Sequence, residues 1–317
     1  MTRIKAPFTG IVSGEIDIDL PDLPTTPPVE PPEPPVEPPE PPVEPPEPVP
    51  PPTDGETNLS AIWLSEDFQG VPLLANPKDH TVISDCSNAR CVSMQNMPGG
   101  LSKAIVSTVT EGGNEYGGGD FGGWGYIYRS GFPRMGAGSK LWVRKLFYIP
   151  DDFSWMNGKH CKYIRIHKVR SDGGNDGYMD TYINGSGQNY LKSITEMGAG
   201  HPTPPWYTTT ESLPKGEWFF FESYYEFNGT LPGVRAFWIN GELKDAYSVG
   251  HSQRSGVEMD QLNVFTYWDS YLPKQQSLAF AHLAVAVKGN VEGHGWVDNT
   301  GDMASDEHGN KFIGITL

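Results

Sequence analysis

The sequence has little positive charge, few cysteines and no long apolar run. Its 317 residues include 23 Lys and Arg against 39 Asp and Glu, a formal net charge of −16. Phosphate binding needs clustered basic side chains, so this balance argues against nucleic acid as a partner. No run of ~18 apolar residues is present, so we expect no membrane span. Residues 1–8 lack the apolar stretch of a secretion signal, so we expect synthesis in a host cytoplasm without a signal peptide.

Cysteine is also scarce, with three residues in the chain. Cys86 and Cys91 are near enough in sequence to close a small loop and leave Cys161 over, but three reduced thiols fit a cytoplasmic product better. None has the CxxC spacing of a zinc site, so we predict no metal from the cysteines and no cofactor. A calcium site remains an alternative, because acidic, glycine-containing stretches at 172–180 and 298–306 offer oxygen ligands, although neither has the spacing of an EF-hand.

The acidic charge is concentrated near the N-terminus. Residues 1–57 hold twelve acidic and two basic side chains, so −10 of the net charge of −16 precedes residue 58. Residues 27–47 repeat the unit Pro-Pro-Val-Glu-Pro-Pro-Glu three times. Proline fixes φ and removes the backbone donor, while the like-charged glutamates resist collapse. We predict a polyproline II stalk at 27–57, whose proline-rich part spans roughly 80 Å; a disordered linker is the alternative.

The segment before the stalk, residues 1–26, is predicted to be an extended anchor peptide. Apolar and acidic side chains alternate there with a period of two, the pattern of a strand. A segment of this length cannot bury a core of its own, so we expect residues 4–23 to pair with the sheet edge of a partner protein. The anchoring residues would be Ile4, Phe8, Ile16, Ile18 and Leu20.

Residues 58–317 have the composition of a β-rich domain. They contain all nine tryptophans and 34 of the 37 glycines. Short aromatic and β-branched runs alternate with glycine-rich turns, and helical periodicity is almost absent, so we predict an all-β domain. Asn240-Gly241 predicts a two-residue hairpin turn. Many strands without intervening helices pack as a sandwich or jelly roll.

Four segments resemble strands of the concanavalin A-like jelly rolls: 140–150, 216–226, 234–242 and 277–287. The resemblance implies a concanavalin A-like jelly-roll sandwich for 58–317. It leaves the activity open, because this superfamily contains lectins, hydrolases, lyases and adhesion modules. The stretch 164–167 also resembles the Gln-Ile-His strand of alginate lyases, with Arg165 in place of the glutamine, whereas their tyrosine-lysine strand motif is not recognisable.

Alternation along the predicted strands places polar and aromatic side chains together. If these strands are neighbours, one sheet face suits a saccharide, whose hydroxyls seek charged hydrogen-bond partners and whose C–H faces stack on rings. The solvated outer face of an antiparallel sheet is the alternative. The predicted glycan-binding residues are Trp142, Arg144, Tyr163, Arg165, His167, Tyr182, Glu222, Tyr224 and His282.

Anchor, stalk and sandwich together resemble a phage capsid decoration or head-fibre protein. We therefore expect a non-enzymatic virion-surface protein, part of a multimeric assembly, docked on a capsid or other virion protein and displaying a lectin-like domain to polysaccharide or cell-surface glycans. The alternative is a polysaccharide lyase or depolymerase acting on uronate-containing glycans, with Arg165, His167 and Tyr224 as catalytic residues. A glycosidase is disfavoured, because Glu222 and Glu226 would lie ~13 Å apart on a strand, too far for a catalytic carboxylate pair.

Overall fold

The computed structural model divides the chain into two units, Met1–Glu56 and Thr57–Leu317. The residues that the structure describes are 3–8, 14–19, 64–74, 85–86, 89–109, 124–129, 133–153, 160–184, 190–195, 207–227, 232–251, 256–267, 274–301 and 303–315. The predicted stalk lies outside these ranges. Within them, no helix is long and apolar enough to cross a membrane.

The first unit contains an antiparallel pair of strands, β1 (Arg3–Phe8) and β2 (Gly14–Asp19). Ile4 lies opposite Ile18 in this register. The period-two segment in β2 therefore pairs with residues 3–8 of the same chain. Pairing with the sheet edge of a partner stays a prediction, as does the role of the anchoring residues, and Leu20 lies outside the described ranges.

The second unit is a sandwich of two antiparallel sheets. One sheet contains β4 (Asp85–Cys86), β7 (Trp124–Arg129), β9 (His160–Arg170), β10 (Asn175–Asn184), β11 (Tyr190–Thr195), β12 (Tyr207–Ser212) and β16 (Val257–Tyr267). The other contains β3 (Leu64–Glu66), β5 (Ala89–Ser93), β6 (Lys103–Val109), β8 (Lys140–Tyr148), β13 (Trp218–Glu226), β14 (Pro232–Ile239), β15 (Glu242–His251), β17 (Gln276–Val291) and β18 (Gly295–Asp298). A separate short pair is formed by β19 (Ala304–Ser305) and β20 (Lys311–Phe312).

The strand order fixes which side chains can meet. The seven-stranded sheet runs β12-β11-β10-β9-β16-β7-β4, so β9 lies between β10 and β16. The nine-stranded sheet runs β15-β14-β13-β8-β17-β6-β5, with β3 and β18 also paired to β17. The predicted fold class, an all-β sandwich, is confirmed.

One hydrophobic core lies between the two sheets, because each strand directs alternate side chains inward. Ile164 and Ile166 of the seven-stranded sheet and Phe219 and Phe221 of the nine-stranded sheet are fully buried in this single cluster. The alternation predicted within these strands is therefore confirmed. Arg165, between the two isoleucines, and Phe220, between the two phenylalanines, therefore lie on the two outer faces.

The outer face of the nine-stranded sheet is covered by the C-terminal segment, defined as residues 299–301 and 303–315. Ala284 and Ala286 of β17 present small side chains to this face, and Met303 and Ile313 pack on them. Ala279 and Ala281, nearer the start of β17, are buried by Leu146 and Leu101 instead, so both faces of this long central strand are buried.

The hairpin between β14 and β15 turns at Asn240-Gly241, as predicted. Their φ angles of 51° and 82° are both positive, as the mirror-image type I′ turn requires. Ile239 and Glu242 close the turn as Cα partners. The predicted turn is confirmed.

Candidate active site

Three central strands of the seven-stranded sheet bring a polar cluster together on its outer face. On β9, Arg165 and His167 alternate with the two core isoleucines and so lie on the outer face. Tyr178 of β10 is the Cα partner of His167, and Asn263 of β16 is the Cα partner of Arg165. The register therefore places side chains from three strands beside one another.

His167 is held by a carboxylate from the neighbouring strand. Its Nδ1 lies 2.5 Å from Oδ1 of Asp260, and the two side chains are 18% and 28% exposed. An ionised carboxylate only accepts hydrogen bonds, so Nδ1 must carry the proton and donate it. The neutral imidazole then keeps its lone pair on Nε2, the tautomer that a general base needs.

A β-bulge in β16 makes this pair possible. The register between β16 and β9 shifts between Met259 and Gln261. In a regular strand, consecutive residues point to opposite faces, so Asp260 and Gln261 could not both approach β9 from the outer side. A bulge places an extra residue against one partner residue and redirects its side chain. Here Asp260 contacts His167, while Gln261 is the Cα partner of His167.

Arg165 and Tyr178 form the other half of the cluster. The guanidinium carbon of Arg165 lies 3.3 Å from the centre of the Tyr178 ring, a cation–π contact. The Tyr178 and His167 rings are 5.1 Å apart between centroids. Beside them, Gln261 Nε2 donates to Asn263 Oδ1 at 2.7 Å. The cluster thus places a positive charge, an amide, an oriented imidazole and a phenol near one another, with Asn263 buried beside them.

The nine predicted glycan-binding residues do not share one sheet, so the condition that their strands are neighbours is not met. Arg165 and His167 lie in the seven-stranded sheet; Tyr163 and Tyr182 belong to the same sheet, but their side chains lie outside the described part. The other five lie on β8, β13 and β17 of the nine-stranded sheet: Trp142, Arg144, Glu222, Tyr224 and His282. Tyr224 is therefore no partner for His167 in catalysis.

Three of these five residues form a buried polar cluster beneath the C-terminal segment. Arg144, Glu222 and His282 are 1%, 2% and 3% exposed. Arg144 donates to the carbonyl oxygen of Gly314 at 2.7 Å, and Glu222 accepts from the backbone N–H of Ile313 at 2.6 Å. A glycan cannot reach side chains that the chain itself covers, and the hydrogen bonds of Arg144 and Glu222 hold this segment in place.

Burial perturbs the ionisation of this cluster in opposite directions. It raises the pKa of Glu222 to about 8, against the opposing effects of the Ile313 N–H and the Arg144 charge. It lowers the pKa of His282 to about 4, and the nearby Arg144 charge acts in the same direction. Both shifts favour the uncharged form, as expected when a low-dielectric interior penalises charge.

Four residues of the cluster were not predicted as site residues: Tyr178, Asp260, Gln261 and Asn263. Tyr178 had a usable signal, because alternation along β10 places it on the face opposite Met179, which is buried in the core. Gln261 and Asn263 flank Leu262, which is buried in the core, and so share a polar face by the same rule. Asp260 had no such signal, because its orientation depends on the bulge.

In the two stretches considered for calcium, the carboxylates of Asp172 and Asp298 bind other groups of the protein. Asp172 pairs with Arg170 at 3.2 Å and accepts from the Gly174 N–H, a turn stabilised by its own side chain. Asp298 pairs with Lys288 at 2.8 Å. In the part of the chain that the structure describes, no group of three or more metal-ligating side chains is assembled.

No protein-family model matches the sequence, and a search of curated proteins finds no match. Among solved structures, the chain is similar to an endo-β-1,4-glucuronan lyase from the fungus Trichoderma reesei, with a TM-score of 0.51 and 11% identity over 71% of this chain and 95% of that chain. The alginate lyase vAL-1 from a Chlorella virus gives a TM-score of 0.47 and 10% identity over 64% and 91%. The alginate lyase Aly36B gives 0.46 and 13% over 70% and 96%.

At 11% identity, the similarity to the glucuronan lyase shows the fold alone: a β-sandwich of the kind found in polysaccharide lyases. This comparison contradicts the expectation of a virion-surface protein displaying a lectin-like domain, because the solved structure with a TM-score above 0.5 is a polysaccharide lyase. That hypothesis is wrong, and the alternative stated from the sequence fits the fold better.

Proposed function

We propose that this protein is a polysaccharide lyase that cleaves uronate-containing glycans by β-elimination. The observation that carries the proposal is the His167–Asp260 pair beside Tyr178 and Arg165, on the outer face of the central strands. An oriented imidazole, a phenol and a guanidinium in one cluster match the three tasks of this reaction: proton abstraction, proton donation and charge neutralisation.

Charge neutralisation comes first. The negative charge of the uronate carboxylate makes the C5 proton hard to remove unless a positive group compensates that charge. Arg165, with the amide N–H group of the partly exposed Gln261, supplies donors for the carboxylate oxygens. These donors gain strength as charge moves from C5 onto the carboxylate in the transition state, which is where electrostatic stabilisation lowers the barrier.

Proton transfer then completes the elimination. His167 Nε2 takes the C5 proton, and the electrons of the C5–H bond form the C4=C5 double bond. The C4–O glycosidic bond breaks, and the leaving oxygen takes a proton from the Tyr178 hydroxyl. The products are a chain with an unsaturated uronate at its new non-reducing end and a chain ending in a free sugar hydroxyl. Asp260 acts as a positioning residue that stabilises the imidazolium formed in the first transfer.

The test incubates the purified chain with polyglucuronate, alginate and polygalacturonate and follows the ultraviolet absorbance of the C4=C5 double bond. We expect product from at least one polymer, with a loss of about 10²-fold or more in rate for His167→Ala and for Tyr178→Phe. Tyr148→Phe, a matched change on the nine-stranded sheet, should retain the full rate. If no polymer yields unsaturated product, the proposed function is wrong; if Tyr178→Phe and Tyr148→Phe are equally active, the assignment of the acid is wrong.

A further inference from the structure

A second candidate site lies on the opposite sheet from the proposed catalytic cluster. A cavity of about 370 Å³ is present on the outer face of the nine-stranded sheet, beside the C-terminal segment. Side chains of β8, β13, β14, β15 and β17 line it, and Thr300, Asn310 and Lys311 of the C-terminal segment close one side. Its volume falls at the lower end of the range for small-molecule sites, which suits roughly one or two sugar units.

Two aromatic rings in the cavity are fixed by hydrogen bonds within the protein. Trp142 and Tyr224 pack at 4.9 Å between ring centroids. Trp142 Nε1 donates to the Lys311 carbonyl oxygen at 2.8 Å, and the Tyr224 hydroxyl donates to Glu226 Oε2 at 3.0 Å. Tyr224 is partly exposed and offers a ring for the C–H face of a sugar. Rings already held in place lose little conformational freedom when a ligand binds.

The lining carries an excess of positive charge. Lys140, Lys288 and Lys311 face the cavity together with one carboxylate, Glu226. Lys288 also pairs with Asp298 outside the lining, so the balance stays positive even when that carboxylate is included. Lys140 lies 4.0 Å from Glu226, at the limit of an ion pair. In a chain with a formal net charge of −16, this concentration of ammonium groups favours an anionic ligand.

We propose that this cavity binds an acidic sugar unit, with its carboxylate among the lysines and its ring against Tyr224. The inference goes beyond the proposed reaction and does not depend on it, because the two clusters lie on different sheets. A second site for acidic glycan would hold a polymer at the protein surface while the other face acts on it, and it would raise the effective concentration of substrate.

The test uses calorimetry with β-1,4-linked diglucuronate as the probe and cellobiose as its uncharged counterpart. All variants carry Arg165→Ala, which removes the carboxylate donor of the other site. Ala246→Phe fills the cavity from an exposed position of the edge strand β15. Ser93→Phe makes a comparable addition at an exposed position of β5, at the opposite edge of the same sheet, and serves as the control.

We expect the Arg165→Ala protein to bind one diglucuronate, with cellobiose at least about tenfold weaker. Adding Ala246→Phe should weaken diglucuronate binding by about tenfold or more, while Ser93→Phe should leave it unchanged. Lys311→Gln removes the charge of an exposed residue and keeps an N–H donor for the Met303 carbonyl oxygen that Lys311 contacts, so this second variant should also weaken binding. Unchanged affinity after both cavity substitutions, or equal affinity for cellobiose, would overturn the inference and leave lyase activity untouched.

Discussion

Raising the pH should destabilise this protein through one buried carboxyl, Glu222. The perturbation is a change from about pH 7 to about pH 9, with Glu222→Gln as the matched variant. In the folded chain, burial raises the pKa of Glu222 to about 8, whereas its ordinary value is 4.5. Between these values the folded state keeps a proton that the unfolded chain has released. Stability is therefore fully present below pH 4.5 and is lost as the pH rises through 8.

The change in the free energy of unfolding depends on how much of the Glu222 titration falls between the two pH values. The whole shift, from 4.5 to about 8, corresponds to about 5 kcal/mol. His282 has the opposite sign, since burial lowers its pKa to about 4 and its contribution is lost as the pH falls from 6.5 toward 4. A starting point near pH 7 avoids that titration. From about pH 7 to about pH 9, the Glu222 contribution amounts to about 1.4 kcal/mol.

The assay compares urea unfolding of wild type and Glu222→Gln at each pH. Titrations shared by both proteins cancel in the difference between their free energies of unfolding. We expect wild type to lose about 1.4 kcal/mol relative to the variant across this interval. A constant difference would mean that Glu222 is already ionised at pH 7, so that the charge of Arg144 and the Ile313 N–H outweigh the effect of burial. That result would refute the reasoning.

Three further substitutions test the packing and the site. Gly289→Ala should cost about 2–3 kcal/mol in urea unfolding, because φ is 150° there and a Cβ would lie 2.8 Å from the Ser139 Cα. Trp142→Phe removes the indole hydrogen bond to the C-terminal segment and should cost about 1–2 kcal/mol by the same measurement. Asp260→Asn should lower kcat about 10²-fold and leave KM unchanged, because the imidazole loses its charged partner; an equal rise in KM would indicate a role in binding instead.

Much of the fold follows from the sequence because the pleat of a strand fixes a period of two. Ile164 and Ile166 lie in the core while Arg165 and His167, which alternate with them, lie on the outer face, as this period requires. Which strands are neighbours is a different question. Strands consecutive in sequence are spatial neighbours only about two-thirds of the time. β8, which carries Arg144, and β9 are consecutive here and belong to different sheets.

Parts of the site had no local signal at all. The bulge that directs Asp260 toward His167 results from the pairing of β16 with β9, a contact 93 residues apart in sequence. The cover over Arg144 and Glu222 comes from residues near position 314, again far along the chain. Alternation predicts the face on which a residue lies but not what packs on that face. Long-range contacts therefore determine both the orientation of Asp260 and the burial of Arg144 and Glu222.

Those long-range contacts also make the outer faces of the two sheets differ, although their residue types are similar. Each face carries an arginine, a histidine, a tyrosine and a carboxylate, and side-chain chemistry alone does not distinguish them. On the nine-stranded sheet, the C-terminal segment covers the polar side chains, and burial drives Glu222 and His282 toward their uncharged forms. On the seven-stranded sheet, His167 and Asp260 remain partly exposed, so the imidazole can exchange protons with a ligand. The partly exposed pair therefore suits the proposed proton transfer, whereas Arg144, Glu222 and His282 beneath the C-terminal segment stabilise the fold.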